Sequence, residues 1–259
     1  MLRTLSKTLT IASFTLLEAV RTRLLWVMAV VLALLLLGSV FVQHVAVTET
    51  ARMQTGFLAG AARIAAVFIL SLHVVSSMSR EFNDKGVELL LSLDLPRAAY
   101  YLGKFIGFAG IAVAIAMLTS AVVLLPAPGP GAALWGISLA LELVLMAALA
   151  LFSVITFAQV MPAISFAAAF YLLARSMTAI RLMAGSQLLS PEDWLSRMIA
   201  RSVDLLSLLL PDLSRFTLTS WLVDDGGTVA QVGAVALQCL IYSSLLVLAG
   251  MFDLYRKNL

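Results

Sequence analysis

Few residues in this chain could carry out chemistry. Its 259 residues include two histidines, His44 and His73, and one cysteine, Cys239. The histidines sit in different apolar runs, toward opposite faces of a membrane, so they do not make a metal pair. A lone cysteine excludes an internal disulfide and a cysteine-cluster metal site. Because Cys239 lies in an apolar run, it reads as a small buried or lipid-facing residue. Neither H-E-x-x-H nor G-x-S-x-G occurs. The phosphate-cradling pattern G-x-x-x-x-G-K-[ST] is missing as well, since Gly103-Lys104 is followed by Phe105 and Ala98 stands where the first glycine is required. The chain therefore reads as no enzyme, with no cofactor of its own. If it moves a substrate uphill, ATP and magnesium must be handled by a separate protein.

Three ionisable residues remain inside long apolar runs: Arg63, Glu142 and Arg175. A charge at bilayer depth costs roughly 2.5–3.5 kcal/mol on insertion scales, so each must face protein or water. They line a substrate route, or Glu142 pairs with Arg63 or Arg175 to hold the bundle, or the arginines snorkel to the surface. Glu142→Gln separates the first two, since lost transport with normal assembly favours the route. The 11 methionines are scattered and read as packing residues.

The elements that must position these groups are membrane helices. Hydrophobic residues make up 62% of the chain and charged ones 12%, and the mean hydropathy is +1.04; soluble domains are about half apolar and a quarter charged. The chain thus reads as an all-α, polytopic membrane protein, one permease domain over 1–259 with about six spans of about 20 residues each. The expected spans are Leu24–Val45, Phe57–Val75, Leu102–Leu125, Ala132–Ala158, Pro162–Thr178 and Val229–Met251. Residues 1–23 repeat Leu5, Leu9, Ala12, Leu16 and Val20 at helical spacing, with Arg3, Lys7 and Arg21 opposite, as in an amphipathic helix lying on the membrane surface. A loosely ordered basic tail is the alternative. Residues 126–131 carry three prolines and two glycines, which forbid regular helix.

Basic residues set the expected orientation. Arg3, Lys7, Arg21, Arg23, Arg80, Lys85, Arg97, Lys104, Arg256 and Lys257 fall on one side. Arg52, Arg181, Arg197, Arg201 and Arg215 fall on the other. The excess predicts both termini in the cytoplasm. The net charge of +3 then reflects loops held against anionic lipid, not nucleic-acid binding. Residues 180–228 form an extracytoplasmic segment with a helix start at Ser190-Pro191-Glu192-Asp193 and a break at Pro211. It is either a broken, re-entrant helix pair between the fifth and sixth spans or an amphipathic loop on the membrane.

The densest polar island runs from Ser79 to Lys104. Glu81 and Lys85, like Arg80 and Asp84, are four apart and can meet on one helical face. Val87, Leu90 and Leu91 fall on an adjoining apolar face, and Gly86 loosens the middle. Pro96 ends this short surface helix near Leu93 and opens another, with Asp94 as its cap. The island's Lys85-Gly86, Glu88 before a leucine run ending in Ser92, then Arg97, Tyr100 and Leu102-Gly103-Lys104, resembles the cytoplasmic loop of ABC-2 type transporter permeases. Val87 departs from that pattern, where threonine is usual.

The resemblance implies a coupling helix within residues 79–101 that docks on a cytoplasmic ABC ATPase. Arg80, Glu81, Asp84, Lys85, Glu88 and Arg97 would make polar contacts, Val87, Leu90 and Leu91 would form the apolar seat, and Gly86 belongs to the same coupling stretch. It further implies an exporter working as a dimer, with an identical or paralogous second permease, in a bacterial cytoplasmic (inner) membrane. The alternative class is an ATP-independent carrier or channel that works through Arg63, Glu142 and Arg175.

Overall fold

The structure is a computed structural model that describes residues 2–45, 49–84, 96–184, 194, 198, 201–203, 205–206, 210–224 and 226–256. No strand occurs among the described residues. The long helices are α1 (Leu2–Arg21), α2 (Leu24–Val45), α3 (Thr50–Asn83), α4 (Arg97–Val123), α5 (Pro130–Phe157), α6 (Val160–Ala184) and α7 (Val229–Arg256). Six of them, α2 to α7, are long and apolar enough to cross a membrane.

Helix α5 is the axis of the bundle. Its alanine- and leucine-rich sequence has no polar face, and α3, α4, α6 and α7 pack around it. It starts two residues earlier than the Pro-Gly stretch suggests, at Pro130, because a proline in the first turn lacks only an N–H that would have no helical partner there. Two residues, Ala158 and Gln159, separate α5 from α6; Ala158 is left-handed, with φ 55°, and its N–H bonds Val154 O at 3.0 Å. The outer helices keep apolar residues exposed. On α2, Trp26, Val30, Leu34, Leu37 and Phe41 face outward while Met28, Leu32 and Ser39 are buried. An exposed apolar stripe of that length suits hydrocarbon, not water, and the six helices together mark an integral membrane protein.

Helix α3 departs most from the expected span. It has 34 residues, about 51 Å at 1.5 Å per residue, well beyond the roughly 30 Å of hydrocarbon. It takes in Arg52 at one end and Ser79–Asn83 at the other, so Arg80 and Glu81 continue the span and do not open a separate helix. Nothing in that stretch breaks a helix, and several polar side chains at this end of α3 have partners: Ser76 Oγ donates to His73 O at 3.2 Å, Ser77 Oγ donates to Glu18 Oε1 at 2.7 Å, and Glu81 meets Lys104. The next expected helix starts at Arg97, behind an extended Pro96. Asp94 lies outside the described residues.

Helix α1 is amphipathic, and the face it turns inward is one of small residues. Thr8, Ala12, Thr15 and Ala19 are buried, whereas Leu9, Leu16 and Val20 are exposed. The reason is the surface it meets. Gly103, Gly107 and Gly110 form a groove on α4, and the two helices run in the same direction along it, with Thr8 and Ile11 over Gly103, Ala12 and Thr15 over Gly107, and Leu16 over Gly110. Only small residues let two backbones approach this closely, so Leu9, Leu17 and Val20 point away.

Candidate functional site

The three charges within the spans, though far apart in sequence, converge. Glu142 on α5 is completely buried. Its Oε1 accepts from Tyr171 Oη at 3.1 Å and its Oε2 from Thr217 Oγ1 at 2.8 Å. Arg175 Nη1 lies 3.7 Å from Oε1. Arg63 reaches the same place from α3, donating to Thr217 Oγ1 at 3.2 Å and Thr217 O at 3.4 Å. Arg175 and Glu142 thus pair directly, while Arg63 joins through the threonine.

The hub is a stretch of chain that is not a long helix. Leu213–Arg215 form one 3₁₀ turn and Ser220–Val223 one α-helical turn. Leu213, Phe216 and Thr217 between them are buried against α3, α5 and α6. Arg63 lies 13 residues from the start of α3, Glu142 12 from the start of α5 and Arg175 nine from the end of α6, so the turn meets them about 14–20 Å from those ends. Arg175 Nη1 donates to Leu213 O, to Phe216 O at 3.0 Å and to Thr217 Oγ1 at 3.4 Å.

These bonds solve an electrostatic problem. Two guanidinium groups gather at one carboxylate, Arg175 directly and Arg63 through Thr217, and carbonyl oxygens of the turn accept from both. Thr217 takes φ 47°, a left-handed conformation that is costly for a β-branched residue and persists only where its surroundings enforce it. Here the enforcement is visible: its N–H donates to Ser138 Oγ at 3.0 Å while its hydroxyl joins both arginines and Glu142. The arrangement can hold a turn of chain deep in the bundle and lock α3, α5 and α6 to it.

Sequence reasoning missed Ser138, Tyr171 and Thr217. Two of them carried a signal, because Ser138 precedes Glu142, and Tyr171 precedes Arg175, by one helical turn. Thr217 carried none.

Asp212 anchors the lip of this turn. Burial alone would raise its carboxyl pKa, but hydrogen bonds from Ser214 and Thr178, the Arg215 guanidinium and the Ser214 N–H together hold it below the ordinary carboxylate value. A carboxyl lowered by folding stabilises the turn at pH above its unfolded value, and that contribution is lost as pH falls through the lowered folded value. Amide exchange at Leu213–Thr217, corrected for intrinsic rate, is expected to speed up on acidification and Asp212→Asn to flatten that response. An unchanged acid response in Asp212→Asn would remove Asp212 as its cause.

The opposite end of the bundle holds the expected coupling residues. Lys104 Nζ is 2.5 Å from Glu81 Oε2, and both side chains are largely buried. Glu81 therefore ties α3 to α4. Arg80 and Asp84 are exposed, and no ion pair joins them; only the Asp84 N–H meets Arg80 O, at 2.9 Å. Arg97 turns inward, donating from Nη1 to Leu254 O at 2.9 Å and Tyr255 O at 3.3 Å, which caps the last turn of α7. Lys85, Gly86, Val87, Glu88, Leu90 and Leu91 lie outside the described residues, as does most of 185–209, where the outer helix pair is expected. His73 is buried edge-on to Phe108, and Cys239 donates to Leu141 O at 3.2 Å.

Six apolar helices around a buried charged cluster fit a membrane transport protein. No family model matches the chain, and no curated protein matches it.

Proposed function

We propose that this chain is the membrane-spanning permease subunit of an ATP-driven transporter, working as an exporter and as a dimer, with hydrolysis supplied by a separate cytoplasmic ATPase. The observation that supports it best is α3. One unbroken helix carries Arg80 and Glu81, beside the charged loop, and also Arg63, at the deep turn. Eighteen residues separate Arg63 from Glu81, about 27 Å of helix. The Glu81–Lys104 pair joins α4 to the same lever. A push on the loop of residues 84–96 from the cytoplasm is carried along α3 and α4 and shifts Arg63 against Thr217. Both termini are then cytoplasmic, in agreement with the basic residues, and the 210–223 turn faces the outer side.

A second reading has its own support. Arg63, Glu142 and Arg175 meet at one point, as a carrier or channel that works without ATP would require. The two readings separate on one experiment. Purified from its native membrane, the chain is expected to bring an ATPase with it, and Leu90→Pro to release that partner, since proline inside a helix costs about 3 kcal/mol, roughly a hundredfold in affinity. Transport by the purified chain alone, without nucleotide, would establish the carrier instead. Reversing the Glu81–Lys104 pair (Glu81→Lys with Lys104→Glu) is expected to keep more transport than either single change.

A further inference from the structure

Between the 210–223 turn and the first turns of α7 lies a partly enclosed cavity of about 290 Å³. Arg215, Leu218 and Trp221 wall one side, and Gln231, Val235 and Gln238 the other. The last three fall at i, i+4 and i+7, on one face of α7. Two glutamines on a helix that otherwise exposes Leu237, Leu240 and Leu248 call for a polar partner.

The free groups are mostly donors. Gln231 Oε1 already accepts from the Thr228 N–H at 3.1 Å, which leaves its amide NH₂. Arg215 gives Nε to Asp212 at 3.0 Å, which leaves both terminal nitrogens, and its side chain is 70% exposed. Among the described residues, Gln238 makes no side-chain hydrogen bond. A guanidinium fork with amide donors opposite it suits a tetrahedral anion with several oxygens. The volume sits just under the roughly 300–1,000 Å³ of small-molecule pockets, enough for a headgroup and too little for a whole lipid. Leu218 and Val235 give the rest of the cavity an apolar lining, and Ile241 and Leu245, three and seven residues beyond Gln238 on α7, are exposed and continue that surface outside it.

We propose that this cavity binds a phosphate group, presented by the headgroup of a phospholipid whose chains lie along α7 or by free phosphate. Arg215 holds the phosphate oxygens, Gln231 and Gln238 donate from α7, and the lipid's chains remain outside. The site stands whether or not transport is driven by ATP.

The test is native mass spectrometry of the full chain in detergent, with three probes: phosphatidylglycerol, diacylglycerol with the same chains, and inorganic phosphate. A saturable phosphatidylglycerol adduct and no diacylglycerol adduct are expected. Arg215→Gln and, from the other wall, Gln238→Leu are each expected to weaken the adduct about tenfold, the scale of one charge-assisted or buried hydrogen bond, with Arg215→Lys recovering part. Should phosphate bind with the same dependence on Arg215 while the lipid does not, the site stands and its ligand is the soluble anion. Equal lipid binding by wild type and both variants, or binding of neither phosphate-bearing probe, overturns it.

Discussion

Glu142→Leu is expected to lose about 3–5 kcal/mol of bundle stability, the usual consequence of removing one partner from a buried ionic group. The carboxylate is fully buried and is the acceptor for Tyr171 and Thr217 and the counter-charge for Arg175. Leucine leaves both hydroxyls without that acceptor and two guanidinium groups with only the carbonyls of the turn. Glu142→Gln should lose less, since its amide oxygen can still accept from one of the two. Removing the positive charge as well, in Glu142→Leu with Arg175→Leu, is expected to recover part of the loss, because no unbalanced charge then faces α5 from α6. Reversible unfolding in mixed micelles measures all four proteins. A Glu142→Leu midpoint equal to wild type would show that the cluster holds nothing together. The Gln variant also carries the functional test: normal assembly with lost transport makes the cluster part of the substrate's route, and normal transport makes it a fastening.

The second large effect concerns α1. A Cβ at Gly107 would lie 2.6 Å from Thr15 Cβ and 3.1 Å from Ala12 O. Neither neighbour can yield, since one is a stiff β-branched side chain and the other is backbone. Gly107→Leu is therefore expected to lift α1 from α4, at more than the 1–3 kcal/mol typical of adding a few methylenes to a packed core. Amides from Thr8 to Ala19 should then exchange faster, while those of α5 keep their protection. Gly60 and Gly233 serve as controls, because nothing lies within 4 Å of a Cβ at either position. Gly60→Ala or Gly233→Ala should leave α1 docked. Wild-type exchange in α1 of Gly107→Leu would mean that the groove is not what seats it.

The number of spans was legible because each is a long apolar run, and hydropathy reports burial in lipid directly. Ends were harder to read. Ser76, Ser77, Ser79, Arg80 and Glu81 look like a surface segment, yet each of Ser77 and Glu81 has a partner on a neighbouring helix that lets the helix continue. The face of α1 that packs on protein was hard to read for a related reason. Periodicity marks where leucines fall, but in this bundle the tight contact is made by Thr8, Ala12 and Thr15, whose value lies in being small, and only the glycines on α4 reveal that. At the site, Arg63, Glu142 and Arg175 declared themselves by the cost of charge within an apolar run. Their meeting point did not, since it depends on Thr217, a residue far along the chain with an ordinary local sequence and a backbone conformation that no composition encodes.

The length of α3 has a consequence for how this chain can change over generations. Each residue of a helix advances the next by about 100°, so one residue gained or lost between Arg63 and Glu81 would swing one end by more than a quarter turn relative to the other. Lys104 and Thr217 could not both be met afterwards. Point changes along Val67, Leu70 and Val74 are open to compensation by neighbours, but this interval should be almost intolerant of insertions and deletions, which a deep-sequenced library of single-codon indels would reveal as a depleted stretch with sharp edges at the two charged residues.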